Sequence, residues 1–164
     1  MKKGVIIQGS ARSKGDTYTA TQKLKALTHF DFIDLKEYHI GHYDYAFKNK
    51  ADDFLPLIRS LLETYDIFVL ASPVYWYTMS GHMKVFLDRI SDLLNSDLEP
   101  RKLFHAKTMA VVSVSGQDDV DDSYYIPFRK SADYLGIHYL GSSHIYKEIT
   151  DIELTRRFSE MLSD

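Results

Sequence analysis

The segment from 67 to 71 reads IFVLA, five apolar residues in a row with no polar residue for either face of a strand. A strand with one face in water alternates apolar and polar residues, whereas a strand buried on both faces does not. Two further segments are similarly apolar, 4–8 (GVIIQ) and 108–114 (TMAVVSV). Strands of this kind predict a parallel sheet with helices packed on both faces.

Helical patterns alternate with these strands. Apolar residues recur at helical spacing in five segments: 17–27, 52–64, 81–94, 122–135 and 151–162. Weaker strand patterns at 30–35 and 137–146 complete five strands and five helices, and Asp16 is the expected N-cap of the first helix. Right-handed crossovers then give a doubly wound α/β fold, a three-layer sandwich, and five strands in a chain of this length fit the flavodoxin-like order 2-1-3-4-5.

Length and composition narrow the function classes. The chain has 164 residues, which predicts one domain over residues 1–164. The net charge of −3 argues against a nucleic-acid binder, and the absence of cysteine excludes disulfides and thiolate metal sites. No apolar run approaches the roughly 18 residues that span a membrane, and the apolar run near the start is too short for a signal peptide. We therefore expect a cytoplasmic protein without nucleic-acid or membrane partners.

The loop after the first strand, residues 9–17 (GSARSKGDT), has the composition of a phosphate cradle. Small residues let backbone N–H groups converge, hydroxyls and a guanidinium add donors, and the helix that follows adds positive potential. The loop matches neither a Walker A motif nor a dinucleotide fingerprint. The alternative is an ordinary connection with an Asp cap. We expect a phosphate to contact Ser10, Arg12, Ser13, Gly15, Asp16 and Thr17.

The segment after the third strand, 72–81 (SPVYWYTMSG), places three large aromatic residues in succession. Three consecutive aromatic side chains cannot all face one core, and ligands of doubly wound sheets bind beyond the carboxyl ends of the strands. The segment therefore suits a flat, phosphorylated ligand beside the cradle, although aromatic residues also anchor oligomer contacts. The expected ligand contacts are Pro73, Val74, Tyr75, Trp76 and Tyr77.

These motifs together resemble the flavodoxin-fold NAD(P)H-dependent FMN reductases over the whole chain. The resemblance is carried by Gly9-Ser10-x-Arg12 with Asp16-Thr17, by Ser72 to Tyr77 with Met79-Ser80-Gly81, and by Lys84 to Arg89. It implies that the first loop holds the FMN phosphate and that the second lies along the ribityl chain and the isoalloxazine ring. A third loop, with Ser115, Gly116 and Gln117, is implied to contact the ring from the other side.

The resemblance also implies the reaction. FMN would accept hydride from NADPH or NADH and pass electrons to a small acceptor such as a quinone or a free flavin, with the chain forming a homodimer. FMN carries this chemistry itself, so no catalytic side chain is assigned. The sequence departs from the family pattern at Asp16, where asparagine is more common. In residues 40–48, where many relatives carry an iron–sulfur cluster, there is no cysteine.

Other interpretations are less consistent with the residues. An FMN-containing electron carrier that docks on redox partners would favour a more acidic surface. A flavin-free interaction protein would not need both loops. His39 and His42 have a spacing compatible with metal binding but lack a full ligand set, so we predict no metal site. The acidic run from Asp118 to Asp122 is expected to be a solvated loop before a helix.

Overall fold

The computed structural model describes residues 2–96, 100–147 and 149–162. Its parallel strands lie in the order β2-β1-β3-β5-β6, and a short strand, β4, pairs antiparallel with the end of β3. The predicted order 2-1-3-4-5 is therefore confirmed, with β5 and β6 as the fourth and fifth parallel strands. The strands are β1 (Gly4–Gln8), β2 (Asp31–Asp34), β3 (Ile67–Tyr75), β4 (Thr78–Met79), β5 (Thr108–Val114) and β6 (His138–Ile145).

In the described residues, six α-helices cover the two faces of the sheet. They are α1 (Asp16–Thr28), α2 (Phe54–Thr64), α3 (Gly81–Asp88), α4 (Ile90–Ser96), α5 (Ile126–Leu135) and α6 (Asp151–Met161). Short 3₁₀ turns occupy Leu35–Glu37, Pro100–Phe104 and Asp122–Tyr125. Within the described parts of the chain, no helix has the length and apolar character needed to cross a membrane.

Four details of the sequence-based prediction were wrong. The helix predicted over 81–94 is two helices that meet at Arg89, and the predicted helix over 122–135 begins with a 3₁₀ turn. The N-cap of α1 is Gly15 rather than Asp16, and no side chain caps this helix. The strand predicted to end at Ala71 continues to Tyr75, because Ser72 and Pro73 pair with Ser113 and Val114 of β5.

The core has two layers, one on each face of the sheet. Ile6 packs with Leu24 of α1 and Phe158 of α6, whereas its neighbours Val5 and Ile7 face the layer of α2 to α5. Alternate side chains of one strand thus enter different layers, as the continuous apolar pattern requires. At about 25 cal/mol per Å² of apolar surface, burial of such side chains supplies the main favourable term of folding.

A fully buried arginine lies where α3 meets α4. Arg89 is 0% exposed, and each of its five N–H groups has a described acceptor. Two bonds reach the carboxylate of Asp52, at 2.6 and 3.1 Å, and one reaches Asp92 at 2.6 Å. The remaining two reach the backbone oxygens of Gly41, at 2.8 Å, and Asn49, at 3.1 Å. A guanidinium is otherwise too costly to bury, so this full set of partners is required.

These bonds fasten the segment 38–53, which contains neither a strand nor an α-helix. Connections of this length without regular structure are uncommon and need anchors of their own. Asp52 also accepts from the backbone N–H groups of Gly41, at 2.8 Å, and Phe54, at 3.0 Å. The segment is therefore tied at both of its ends to one buried ion pair.

We predict that Arg89→Met lowers the free energy of unfolding by about 3–5 kcal/mol, because it leaves two buried carboxylates without their cation. Urea unfolding followed by circular dichroism measures the loss. Arg129→Met is the matched control: Arg129 pairs with Asp122, a carboxylate that is 77% exposed, and its loss should cost at most about 1 kcal/mol. Equal losses in the two variants would contradict the structural role of Arg89.

The Asp52 carboxyl predicts a pH dependence of stability. Burial acts to raise its pKa, but the hydrogen bonds from Arg89, Gly41 and Phe54 outweigh burial and hold the pKa below its ordinary value. A depressed pKa stabilises the fold fully above the unfolded-state value of about 3.9, and this contribution is lost as pH falls through the folded-state pKa.

We therefore expect the stability gap between wild type and Asp52→Asn to be constant from pH 7 to pH 5 and to narrow below about pH 4. Urea unfolding at several pH values measures it. Asp88→Asn, which breaks the exposed Lys84–Asp88 pair, is the control and should show a gap below about 1 kcal/mol at every pH. A gap for Asp52→Asn that is unchanged at pH 3 would refute the assignment.

Candidate functional site

The cradle loop, residues 9–17, is anchored by a glutamine at the end of β1. Gln8 is fully buried, and its side-chain Nε2 donates to the backbone oxygen of Ser13 at 3.1 Å and to Asp34 at 3.3 Å. Its Oε1 accepts from Thr21 of α1 at 3.4 Å. One carboxamide thus connects the cradle loop, α1 and the end of β2, and it fixes the loop from below.

The cradle loop leaves its backbone donors open. Apart from Arg12, whose N–H donates to Ser10 Oγ at 3.3 Å, the N–H groups from Ser10 to Thr17 donate no hydrogen bond within the described chain. The start of α1 also has no side-chain cap. Uncapped N–H groups at a helix start, beside the buried hydroxyl-bearing residues Ser10 and Thr17, fit an anion with several acceptor oxygens.

Cations flank this loop. The Arg12 guanidinium lies over Gly15, where an added Cβ would sit 3.3 Å from Arg12 Nε. Arg12 also lies 3.9 Å from the Asp16 carboxylate, but both side chains are largely exposed, so this pair is weak. Lys36 donates to the backbone oxygen of Ala11 at 2.9 Å. The loop is therefore electropositive even with an acid at position 16.

A serine junction joins the cradle loop to the segment after β3. Ser80, the N-cap of α3, donates through Oγ to the backbone oxygen of Gly9 at 2.5 Å. The backbone N–H of Ser80 donates to Ser72 Oγ at 2.9 Å. Gly9 itself packs on α3, where an added Cβ would lie 2.9 Å from the Cβ of Met83. The position therefore requires glycine, and the first two predicted loops are held in direct contact.

The aromatic residues form a hairpin rather than a loop. Tyr75 ends β3 and pairs with Thr78 of β4, while Trp76 and Tyr77 at the tip have φ values of 50° and 63°. Two positive φ values in succession are those of a type I′ turn, which normally carries Asn and Gly. Trp76 is 93% exposed and Tyr77 is 75% exposed. A strained tip that holds two large apolar side chains in solvent is typical of a binding element.

Two buried tyrosines hold the 3₁₀ turn Asp122–Tyr125 against the ends of the central strands. Tyr124 Oη donates to the backbone oxygen of Ser72 at 3.3 Å, and Tyr125 Oη lies 2.5 Å from Ser113 Oγ. Burial raises the pKa of both phenols, so both remain protonated donors at neutral pH. The turn thereby fixes the segment from Ser115 to Asp121 above β5.

The structure brings the three predicted loops together at the carboxyl edge of the sheet. Asp16, Ser115 and Gly116 line one cavity of about 210 Å³ beside α1 and α6. Tyr77 and Val74 line a smaller depression with Asp119, Val120, Asp121 and Tyr124. The cavity of 210 Å³ is smaller than the roughly 300–1,000 Å³ of ligand pockets. A flat ligand would therefore lie largely on the open edge between the hairpin and the third loop.

Several residues that build the site were not among the ligand contacts predicted from the sequence: Gln8, Ser72, Ser80, Tyr124, Tyr125 and His144. Ser72 and Ser80 entered only as part of the motif that carries the resemblance. A role for Gln8 could have been predicted, because a polar residue that ends a wholly apolar strand needs hydrogen-bond partners once it is buried. The others have their partners far along the chain, so no local pattern indicates them.

The remaining candidates have structural roles. Asp121 accepts from the backbone N–H of Ser123 and caps the 3₁₀ turn, and Asp122 pairs with Arg129. The backbone N–H of His39 donates to Asp53, and the backbone oxygen of His42 accepts from Asn49. Among the residues the structure describes, no three histidine or acidic side chains are grouped to hold a metal ion.

Comparison with known proteins agrees with this geometry. Residues 2–147 match the model of a family described as NADPH-dependent FMN reductase. A curated protein of Bacillus subtilis, the NAD(P)H-dependent FMN-containing oxidoreductase YwqN, is 30% identical over 121 residues; the match covers 69% of this chain and spans 66% of that protein's length.

Two solved structures have the same fold. The Trp repressor binding protein of Bacillus subtilis has a TM-score of 0.75 at 22% identity, covering 98% of this chain and 97% of the other. An FMN-dependent NADH-azoreductase of Bacillus anthracis, in complex with FMN, has a TM-score of 0.65 at 13% identity, covering 97% and 95%.

The strained hairpin yields a prediction. Replacing its tip with the favoured type I′ pair, Trp76→Asn with Tyr77→Gly, should raise the free energy of unfolding by about 1 kcal/mol, because left-handed backbone costs other residues roughly 1–2 kcal/mol each. Thermal and urea unfolding measure the gain. The double variant Trp76→Ala with Tyr77→Ala keeps a Cβ at both positions and should show no gain. If both double variants were equally stable, the tip would not be strained.

Proposed function

Because the chain belongs to the NADPH-dependent FMN reductase family, we propose that it is an FMN-dependent oxidoreductase that takes hydride from NAD(P)H and reduces a small acceptor. Membership confirms the family predicted from the sequence, and with it FMN as the cofactor and NAD(P)H as the electron donor. The acceptor, the residues that hold FMN, the single-domain organisation of residues 1–164, the homodimer and the cytoplasmic location are parts of the proposal.

One observation carries the assignment of the binding residues: open backbone donors and an uncapped helix start lie next to an exposed aromatic hairpin. The first suits the FMN phosphate and the second suits the ring system. The phosphate would be held by Ser10, Arg12, Ser13, Gly15 and Thr17, with Asp16 at the rim, and the ribityl chain and ring by Pro73, Val74, Tyr75, Trp76, Tyr77, Ser115, Gly116 and Gln117.

The chain's own groups bind, orient and stabilise. When it is bound, FMN supplies the hydride and electron transfer chemistry. The cradle loop fixes the phosphate by backbone N–H groups and by the Arg12 guanidinium, which binds anionic oxygens in a planar fork. The hairpin supports the ring, and backbone N–H groups of the third loop stabilise the negative charge that accumulates on reduction. No side chain is assigned as a proton donor.

The exposed hairpin is suited to binding a flat electron acceptor. Trp76 offers an aromatic face that is 93% exposed, and offset stacking on such a face contributes about 0.5–1.5 kcal/mol beyond burial. A structural relative from P. pentosaceus is an NADPH-quinone reductase, and another relative is the azoreductase named above. Quinones and related planar acceptors therefore fit the open edge best.

The same surface supports a homodimer. Tyr45, Trp76 and Tyr77 are 88%, 93% and 75% exposed, and aromatic side chains exposed to this degree anchor protein interfaces. In a dimer formed through this edge, each copy would cover the ligand surface of its partner. Sedimentation equilibrium of the purified protein tests this part of the proposal, and a monomer at micromolar concentration would remove it.

A visible absorption spectrum, recorded before and after anaerobic addition of NADPH or NADH, tests the function. We expect a flavin absorption band that bleaches with one of the two donors. We also expect the flavin released from the protein to be FMN. A flavin band that neither donor bleaches would overturn the reductase function and favour an electron carrier. If the protein did not bind flavin even with added FMN, the proposed FMN-binding residues would be refuted as well.

Two variants test the site residues. Arg12→Ala should raise the FMN dissociation constant about 10- to 100-fold, since a hydrogen bond to a charged group contributes about 1.5–3 kcal/mol. Trp76→Ala should raise it by about three- to tenfold, through lost stacking. Fluorescence titration measures both. Arg59→Ala on α2 and Tyr134→Ala on α5 are matched controls away from the carboxyl edge. Unchanged affinity in both site variants would refute the assignment.

A further inference from the structure

Three side chains form a continuous hydrogen-bonded chain beneath the third loop. Tyr125 Oη lies 2.5 Å from Ser113 Oγ, which lies 2.9 Å from His144 Nδ1, and His144 Nε2 lies 3.0 Å from the backbone oxygen of Gln117. All three side chains belong to buried residues. The chain crosses from the 3₁₀ turn through β5 and β6 to the loop that is proposed to contact the flavin ring.

The acceptor at the end of this chain sets the direction of every bond in it. A carbonyl oxygen can only accept, so His144 must carry its hydrogen on Nε2 to bond to Gln117. In the neutral imidazole Nδ1 then accepts, and its only described partner is the hydroxyl of Ser113. Ser113 in turn accepts from Tyr125, whose pKa is raised by burial and which therefore keeps its proton. Each donor of the chain faces an acceptor in this arrangement, and Ser115 Oγ, 3.3 Å from Nε2, is a second neighbour of that nitrogen.

The arrangement fixes a peptide plane of the third loop. The Gln117 oxygen accepts from His144 Nε2 and from Ser115 Oγ, so the carbonyl group is held on the side of His144. The described residues contain no cis peptide bond, and in a trans peptide the following N–H points opposite to the C=O. The N–H of Asp118 is therefore turned away from His144, and no described group accepts from it.

We propose that His144 is a positioning residue, which holds the Gln117–Asp118 peptide so that its N–H group faces the flavin and stabilises the reduced form. This inference rests on the proposed function. A donor that is already aligned binds a developing negative charge without the cost of reorientation. Other groups around His144 support the geometry: Arg157 donates to its backbone oxygen at 2.7 Å, and the Tyr146 ring stacks at 5.8 Å.

Two amide substitutions distinguish the contribution of Nδ1 of His144 from that of Nε2. In His144→Gln the side-chain amide reaches the place of Nε2 and can still donate to Gln117. In His144→Asn the amide reaches only the place of Nδ1, so it retains the contact to Ser113 and loses Gln117. The two variants bury similar polar groups, so they differ mainly in the bond that positions the loop. His138→Asn, an exposed position at the start of the same strand, is the control for the substitution itself.

The readouts are the reduction potential of bound FMN, from titration against a reference dye, and the FMN dissociation constant. In His144→Asn we expect reduced FMN to bind tenfold more weakly relative to oxidised FMN, a potential about 30 mV lower for the two-electron couple. His144→Gln and His138→Asn should stay within twofold, about 9 mV, of wild type. A potential in His144→Asn equal to that of wild type would overturn the inference while FMN binding and the proposed function stand.

Should His144→Asn fail to fold, as judged by thermal unfolding, Ser113→Ala carries the test. It removes the donor to Nδ1, so the imidazole no longer has one preferred tautomer and its bond to the Gln117 oxygen is weakened. We expect a fall of about threefold in relative affinity for reduced FMN, near 14 mV. An unchanged potential in Ser113→Ala would overturn the inference. If wild type binds no FMN at all, the proposed function fails first.

Discussion

The hydrogen bonds and ion pairs of the buried Arg89 guanidinium are the interactions on which the arrangement of the candidate site depends. It lies at the carboxyl end of α3, while the amino end of α3 carries Ser80, which bonds to the cradle loop. One helix is thus fixed at both ends by buried polar contacts rather than by apolar packing alone. Helices that are only packed on apolar surface can shift by small amounts, whereas a fully bonded guanidinium permits one position. Because the cradle loop bonds to Ser80, the fixed position of α3 also fixes the position of the loop.

This constraint has an electrostatic cost that local donors offset. Asp52 and Asp92 place two carboxylates around one buried cation, which leaves an excess negative charge in a region of low dielectric. The backbone N–H groups of Gly41 and Phe54 compensate by donating to Asp52, and the Phe54 ring lies 5.0 Å from the guanidinium. A hydrophobic cluster could stabilise the same contact, but it would not fix the direction in which the segment 38–53 leaves the core. Direction matters here because that segment carries Tyr43 and Tyr45, an edge-to-face pair in which Tyr45 is 88% exposed.

The fold was largely predictable from the sequence, because continuous apolar strands and helical spacing are local signals. The bounds of β1 and β5 matched the apolar runs residue for residue. The break at Arg89 was not predictable, since the apolar pattern of 81–94 runs through it and every partner of the arginine except Asp92 lies 37 to 48 residues away. The three segments that the structure brings together at the carboxyl edge could be singled out from the sequence, because small residues and clustered aromatic residues are themselves unusual. The networks below those loops, at Gln8 and His144, were not, because a buried polar side chain is defined by partners that only the tertiary structure supplies.

The candidate site combines buried side chains that hold its loops in place with exposed groups that are available to a ligand. Below the loops, Gln8, Ser80 and His144 bond to backbone oxygens of Ser13, Gly9 and Gln117 respectively, so each turns a carbonyl inward. A peptide whose carbonyl is bonded inward presents the next N–H outward. Three separate side chains thus produce the same result at three loops, an edge rich in outward N–H groups. Such an edge suits anionic oxygens and a negatively charged ring, which is the role proposed for it toward FMN.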